Sequence, residues 1–488
     1  MFSRKVPRAF SWHRAFCSTA RRRDILDVEV LQDRIIPRYQ ETQTSDLLSL
    51  QWPSPPRNIL MIKKDRAPAV TESLIEYARH ISSNYDNVSL IFEPRVATQI
   101  HRSFPFPIYT SSSPQSLPVK VDMVTTLGGD GTILHASSLF STTLHVPPIL
   151  SFSMGTLGFL GEWKFEEYKR AFREVYMSGA GAGSPLFQDQ KHPHIEASAG
   201  ETIDVVTGWS SVRGKAMGPN RSSKVLLRNR LKVGVFDAEG ARVIGDNTNE
   251  SAEGDVHAMN EVIIHRGKEA HLAIIEVYVG GRFLTEAVAD GMIISTPTGS
   301  TAYSLSSGGN IVHPLVSSLL LTPICPRSLS FRPLVLPANT PIKLRLSEKN
   351  RGRELEVSID GRRRSRGVGM GMEVRVNGED IVKGQAWHGG VPCVMRATKS
   401  GVQEDDGWTM SFTKLRNERT WGHGNGKRPR KRDSKCYDRR DFSDKTQSGP
   451  TLYTGSQLSF TAIIVYDRLY LGSAGDHSGG LQSIDAAS

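Results

Sequence analysis

The sequence predicts an α/β domain followed by an all-β domain. Three observations carry this. Apolar runs and helix-period stretches alternate from Asn58 to Val175; the composition turns to Gly, Ser, Pro, Asp and His from about Met177 to Arg221; and short runs, several with period-2 alternation, follow from Ser223 to Val376. Alternating strands and helices argue for a Rossmann-like parallel sheet covered on both faces, and the later short strands for a β-sandwich-like domain.

The elements follow in order. After a Pro-containing lead-in, Thr44 to Arg57, the run Asn58-Ile59-Leu60-Met61-Ile62 is a first strand. Val70, Leu74, Tyr77 and Ile81 recur at helical spacing, and Val88 to Phe92 gives a second strand. Val121, Met123, Val124 and Leu127 form a third, Thr132 to Ser137 opens a helix, Ile149 to Phe152 is a strand, and Phe165, Tyr168, Phe172 and Val175 mark another helix. Past the aperiodic stretch, Ser223 to Gly234, Glu261 to Ile264, Leu272 to Val279, Gly291 to Ser295, Ile342 to Leu346, Leu355 to Ile359 and Met372 to Val376 read as strands. The domains expected are therefore 50–180 (α/β), 181–222 (linker or surface insertion) and 223–400 (β-rich). They are flanked by a leader, 1–23, and a basic low-complexity tail, 415–488, in which Leu458 to Leu471 has strand-like content.

Charge distribution narrows the class. The net charge of +11 over 488 residues suggests a nucleic-acid partner, but the leader and Lys414 to Lys445 carry +7 each, which leaves the rest near −3. No basic excess remains on the folded part to track a phosphate backbone, so nucleic acid is not an expected partner. Residues 1 to 23 hold seven Arg and Lys, no acid, and Phe2, Val6, Phe10, Trp12 and Phe16 interleaved among the bases. That is the composition of a mitochondrial transit peptide, with a disordered basic tail as the plainer alternative. Cys17, Cys325, Cys393 and Cys436 lack disulfide or metal-ligand spacing, and no apolar run reaches the roughly 20 residues of a membrane span.

Two glycine-rich segments carry the chemistry. Gly128-Gly129-Asp130-Gly131-Thr132 follows the third strand and opens a helix; glycines there let a ligand approach the backbone, and a helix N-terminus favours phosphate. Asp130 would repel an anion unless it accepts a proton from an attacking hydroxyl or reaches phosphate through a metal ion. A plain Asp-Gly turn joining strand to helix is the alternative. The second segment runs from Asp290-Gly291 into Thr296-Pro297-Thr298-Gly299-Ser300-Thr301-Ala302-Tyr303-Ser304-Leu305-Ser306, a source of hydroxyls and amides that suits a dinucleotide or, with Ser300 or Thr301 capping, an ordinary helix start. No Walker loop, GxGxxG or protein-kinase catalytic loop is present, so phosphate handling rests on these two segments.

Gly128 to Thr132 resembles the signature shared by NAD kinases, diacylglycerol-type lipid kinases and, more loosely, phosphofructokinases. With Asn260-Glu261 through Gly267 and Asp290 through Gly309, the chain from about Leu50 to about Ala397 resembles the NAD kinase family, and Leu284 to Gly291 its mitochondrial NADH kinase branch. Ser151 to Leu160 is similar to the family's strand and turn, and Asp360-Gly361 to its later Asp-Gly turn. The resemblance implies that the nucleotide lies between an α/β and a β domain. It implies transfer of the γ-phosphoryl of ATP to the 2′-hydroxyl of the adenosine ribose of NAD or NADH in mitochondria, the matrix included, with Asp130 as base. It also implies Mg²⁺ or Mn²⁺ with no dedicated protein ligands, and a homo-oligomer. By the same resemblance, Gly128, Gly129, Gly131, Thr132, Asn260, Glu261, His271, Asp290, Thr298, Thr301, Ala302, Tyr303, Ser304, Leu305 and Ser306 are expected to contact substrate or nucleotide. Read from residues alone, Asn260-Glu261 is equally a polar strand start, His271 a packed strand residue and Tyr303 a core aromatic. Two alternatives stand beside the kinase reading: a lipid kinase of the diacylglycerol type, and a non-catalytic dinucleotide binder.

Overall fold

The computed structural model describes residues 24–42, 46–155, 158–180, 222–243, 255–328, 330–384 and 387–396. The leader 1–23, the linker up to residue 221 and the tail 415–488 with its Leu458 to Leu471 run lie outside the described residues.

The first layer is a mixed eleven-stranded sheet. Its parallel part runs Ile25–Asp27, Ile108–Thr110, Ser89–Phe92, Asn58–Lys63, Met123–Gly128, Ile149–Ser153 and Val391–Val394. Asn58–Lys63 and Met123–Gly128 are buried at every residue, as expected of strands covered on both faces. Helices Pro68–Asn84 and Tyr168–Tyr176 bury one face: Tyr77 meets Phe152 and Phe172 edge-on at 5.3 and 6.0 Å, an arrangement that suits the ring quadrupoles. Helix Pro68–Asn84 is amphipathic because Val70, Leu74, Tyr77, Ala78 and Ile81 fall on one stripe, and Pro68 at its first turn costs no hydrogen bond.

The sheet then turns antiparallel. Lys224–Arg228 pairs with Val391–Val394 on one side and with Leu48–Gln51 on the other, and Arg38–Glu41 closes the edge; Trp163–Lys164, beside Ile149–Ser153, is the eleventh strand. Two strands from the stretch read as β domain are thus hydrogen-bonded into the α/β sheet; the lead-in Thr44 to Arg57 contributes Leu48–Gln51, and Arg38–Glu41 comes from the chain before it. Pairing is the reason: alternation along a strand shows that it is a strand, while its partner is set by long-range packing.

The second domain is a sandwich. One sheet orders Val256–Ala258, Leu231–Phe236, Glu373–Gly378, Ile342–Leu346, Ala273–Val279 and Arg282–Ala289; the facing sheet orders Leu334–Pro337, Ser318–Ile324, Gly291–Ser295, Glu261–His265, Glu354–Ile359 and Arg362–Arg363, with Val368–Gly369 beside Glu354–Ile359. Their inward residues, among them Val233, Val262, Ile264, Ile275, Met292, Ile294, Leu344 and Val374, form a single core. The alternation of Ile342–Leu346, with Ile342, Leu344 and Leu346 buried, is the sequence signal realised. A third cluster joins the domains: Met259 packs with Ile133, Leu160, Val391 and Cys393, so the start of strand Glu261–His265 is anchored against helix Asp130–Ser138.

Candidate functional site

Asp130 is the first residue of helix Asp130–Ser138, which leaves the carboxyl end of strand Met123–Gly128, where parallel sheets place ligands. Its carboxylate accepts the Phe159 N–H at 2.9 Å and the Leu160 N–H at 3.1 Å. A Cβ on Gly158 would sit 2.1 Å from Asp130 Oδ1, and one on Gly128 would sit 2.1 Å from Thr132 Oγ1, so these two glycines are demanded by the packing. Gly129 and Gly131 differ: an added Cβ would meet nothing within 4 Å. Their exposed backbone at a helix N-terminus is open to an anion.

The second group lies at one end of the pair Glu261–His265 and Gly291–Ser295, where Glu261 is opposite Ser295. Asp360 organises it, with its carboxylate accepting the N–H groups of Met259 at 2.7 Å, Asn260 at 2.7 Å and Glu261 at 3.1 Å. Asp360 itself takes the left-handed backbone, φ 46°, which Asp tolerates better than most residues. Burial raises its carboxyl above the usual range although the three amides oppose the shift. Asn260 and Glu261 are only 6% and 7% exposed, yet Asn260 Oδ1, Glu261 Oε2 and Ser295 Oγ have no hydrogen-bond partner among the described residues. Burial, with the Asp360 charge second, pushes the Glu261 carboxyl up to about 7. Buried acceptors are rarely left empty, and three together suit a ligand carrying hydroxyls or an amide.

The Thr296 turn is tied to this group. Thr296 Oγ1 donates to the Met259 carbonyl at 2.6 Å and accepts the Gly299 N–H at 3.1 Å, while a Cβ on Gly299 would lie 2.2 Å from the Asn260 carbonyl. Thr298–Thr301 forms a 3₁₀ turn and Tyr303–Ser306 a short helix, neither capped by Ser300 or Thr301. Instead Ser300 Oγ accepts the Val312 N–H at 3.0 Å, Thr301 Oγ1 donates to the Thr298 carbonyl at 3.2 Å, and the fully buried Ser304 pairs its hydroxyl with Thr322 at 2.9 Å. Ala302 and Leu305 are half-buried and Ser306 is exposed.

The remaining expected residues stand elsewhere. Asp290 precedes Gly291, the partner of His265 at the opposite end of the strand pair, about 13 Å from Glu261 at a strand's rise per residue. It is held in an ion pair by Arg266 at 2.6 Å. Tyr303 is 40% exposed, and burial, with Cys325 and Asp290 nearby, raises its hydroxyl pKa. His271 is exposed in the connection that leaves His265. Asp130, Asn260, Glu261 and Thr298 therefore gather at the domain junction, while Asp290 lies toward the far end of the strand pair and His271 in an exposed connection.

Two features of the junction have no motif behind them. His135, on the helix of Asp130, contacts Glu93 through Nε2 at 2.6 Å and accepts from Arg362 of the β domain through Nδ1 at 2.5 Å. The Nε2 tautomer follows from that arrangement. Arg228 reaches both the Phe159 carbonyl and Thr298, and its only sequence signal is a cation directly after the apolar run Val225 to Leu227.

A carboxylate at a helix start beside open amides, facing buried empty acceptors across a domain junction, equips the protein to move an anionic group onto a hydroxyl. Fold and site define a nucleotide-handling phosphotransferase. Residues 69–180 match the ATP-NAD kinase N-terminal domain and residues 259–377 the ATP-NAD kinase C-terminal domain. The chain is 38% identical over 404 residues to the mitochondrial NADH kinase pos5 of Schizosaccharomyces pombe, covering 81% of this chain and 85% of that one. It is 37% identical over 331 residues to the mitochondrial NADH kinase POS5 of Saccharomyces cerevisiae, covering 65% and 67%. The crystal structure of yeast NADH kinase complexed with NADH superposes with a TM-score of 0.62 at 32% identity, covering 81% and 95%. The chain belongs to the NAD kinase family and is a kinase, which sets the diacylglycerol-type lipid kinase aside.

Proposed function

We propose that the chain transfers the γ-phosphoryl of ATP to the 2′-hydroxyl of the adenosine ribose of NADH or NAD, forming NADPH or NADP in mitochondria. Asp130 carries the reading. Its two oxygens are oriented by the Phe159 and Leu160 amides at the mouth of an open helix N-terminus, so one lone pair is directed at an incoming hydroxyl. The hydroxyl oxygen attacks the γ-phosphorus, its proton passes to Asp130, and ADP leaves. Asn260, Glu261 and Thr298 would hold the ribose and adenine side, filling the empty acceptors Asn260 Oδ1 and Glu261 Oε2. The open amides at Gly129 and Gly131 would receive phosphate.

Mg²⁺ or Mn²⁺ would arrive with ATP and offset phosphate charge. Among the described residues no group of three or more His, Cys, Asp and Glu could hold a metal ion. The Arg-rich, acid-free leader and the mitochondrial relatives support the location. A fluorescent fusion of residues 1–23 that stayed cytosolic would remove that part. Phe283 and Leu284, 58% and 47% exposed on the outermost strand of their sheet, support a homo-oligomer, which light scattering tests. Among the described residues no helix is long and apolar enough to cross a membrane.

The deciding experiment measures phosphorylation of NADH and of NAD by the purified chain lacking residues 1–23, with ATP and Mg²⁺, beside Asp130→Asn. Turnover, with kcat reduced about 10²–10⁴-fold in the variant while dinucleotide still binds, is the expected result. Dinucleotide binding without turnover by the unsubstituted chain would favour the non-catalytic reading instead.

A further inference from the structure

Arg228 ends the strand Lys224–Arg228, opposite Val391, and lies in the stretch between the two family-matched segments. It is 3% exposed. One terminal nitrogen donates to Thr298 Oγ1 at 3.4 Å and the other to the Phe159 carbonyl at 3.3 Å, while the remaining Nε is buried without a partner. The guanidinium charge opposes the rise that burial gives the pKa of the nearby Cys393 thiol. Among the described residues no carboxylate pairs with it. A guanidinium is charged at every working pH, and leaving it dry with no counter-charge is costly compared with an apolar side chain of similar length. What it supplies in return is a rigid fork that reaches two elements at once.

Those two elements are the halves of the proposed site. The peptide joining Phe159 and Leu160 uses both ends of its plane: the Leu160 N–H holds Asp130 and the Phe159 carbonyl receives Arg228. Thr298 begins the turn whose neighbours pin Asn260. We infer that Arg228 is a positioning residue for phosphoryl transfer, fastening the 158–160 segment that aims Asp130 to the Thr298 turn that carries the dinucleotide. Both contacts are long for N–H···O bonds, as catalytic-site contacts are before substrate closes them. The inference rests on Asp130 as base and on Thr298 as part of the dinucleotide site.

The test uses the full chain and measures kcat and the KM for NADH and for ATP in Arg228→Met, Arg228→Lys, Thr298→Val, the double variant Arg228→Met/Thr298→Val and Asp130→Asn. The expected result for Arg228→Met is a kcat lower by about 10²-fold with both KM values within about threefold, because misplacing a base by an ångström costs rate more than affinity. Arg228→Lys should recover about tenfold, since a point cation meets only one of the two acceptors. The double variant should fall no further than Arg228→Met, since both changes break one fastening. An Arg228→Met enzyme with wild-type kcat, a loss confined to KM, or additive losses in the double variant would overturn the inference. If Arg228→Met does not fold, Arg228→Lys and Thr298→Val decide: lowered kcat in both, with KM unchanged in Arg228→Lys, supports it, and wild-type kcat in both overturns it. Asp130→Asn separates the two failures. A wild-type kcat there removes the base and the inference together, whereas a dead Asp130→Asn beside a fully active Arg228→Met removes the inference alone.

Discussion

Arg228 and Arg230 are two residues apart, 3% and 1% exposed, and sit where the chain passes from the first sheet into the sandwich. Arg230 is saturated. It forks onto Glu379, donating through Nε at 2.8 Å, and donates to the carbonyls of Phe140 at 3.1 Å and Thr143 at 2.8 Å, while Gly390 N–H completes the Glu379 carboxylate at 2.7 Å. Arg228 has no carboxylate among the described residues and keeps a buried donor empty. Burial alone therefore does not distinguish these two arginines; the state of their hydrogen-bond capacity does. Asn260 and Glu261 are on the Arg228 side of that division, with acceptors that no group among the described residues fills.

The sharpest way to break the contrast is Arg230→Met. It leaves the buried Glu379 without its guanidinium, with the Gly390 N–H at 2.7 Å and His257 at 3.8 Å still beside it, and a loss of about 3–5 kcal/mol in denaturant-measured stability is expected. The kcat of the folded fraction should stay near wild type; an activity loss larger than the stability loss explains would place Arg230 in the working site after all. Next is Glu261→Gln. A carboxyl raised from 4.5 to about 7 in the folded protein favours folding only while protonated. Its contribution is intact below about pH 4.5 and is lost as pH rises toward 7. The Gln variant, free of ligand, should therefore gain up to about 3 kcal/mol at pH 8 and nothing near pH 4.5. Thermal melts across that window check it, and an unchanged pH slope would mean that Glu261 is already partnered. The smallest effect separates the open glycines from the packed ones. Gly129→Ala meets no atom within 4 Å and should shift stability by less than about 1 kcal/mol. The same methyl occupies space reserved for phosphate, so the KM for ATP should rise about tenfold, equivalent to about 1.4 kcal/mol. A KM unchanged by that methyl would show that phosphate does not lie against Gly129.

The division also explains what could be read from the chain. Strands such as Gly291–Ser295 and Ile342–Leu346 are continuous or alternating apolar runs, and local chemistry bounds them. Gly128 to Thr132 announces itself because an acid among glycines at a strand end has few other uses. The Phe159 and Leu160 amides left no mark of their own, since every residue has an N–H and only the fold decides which one faces Asp130. Arg228 and Arg230 looked alike in sequence, and their roles separated only when Glu379, distant in the chain, reached one and not the other. The Lys224–Arg228 strand has ordinary alternation, which names no partner, and its place beside Val391–Val394 is a fact of packing. Asp290 and His271 carried motif positions, yet geometry set one in an ion pair and left the other in solvent.

The position of Val391–Val394 between Ile149–Ser153 and Lys224–Arg228 also sets a timetable for the newborn chain. The parallel strands through Ser153 leave the ribosome with one sheet edge open; Trp163–Lys164 soon covers its Phe152–Ser153 end, and the strand that covers its Ile149 end follows about 240 residues later. At roughly 5–20 residues per second, that end waits on the order of ten to fifty seconds for its partner. Until then it is a template for any passing strand. The strand bearing Arg228 is joined to the parallel sheet through the same late arrival, so the junction that aims Asp130 is among the last parts of the described chain to be assembled.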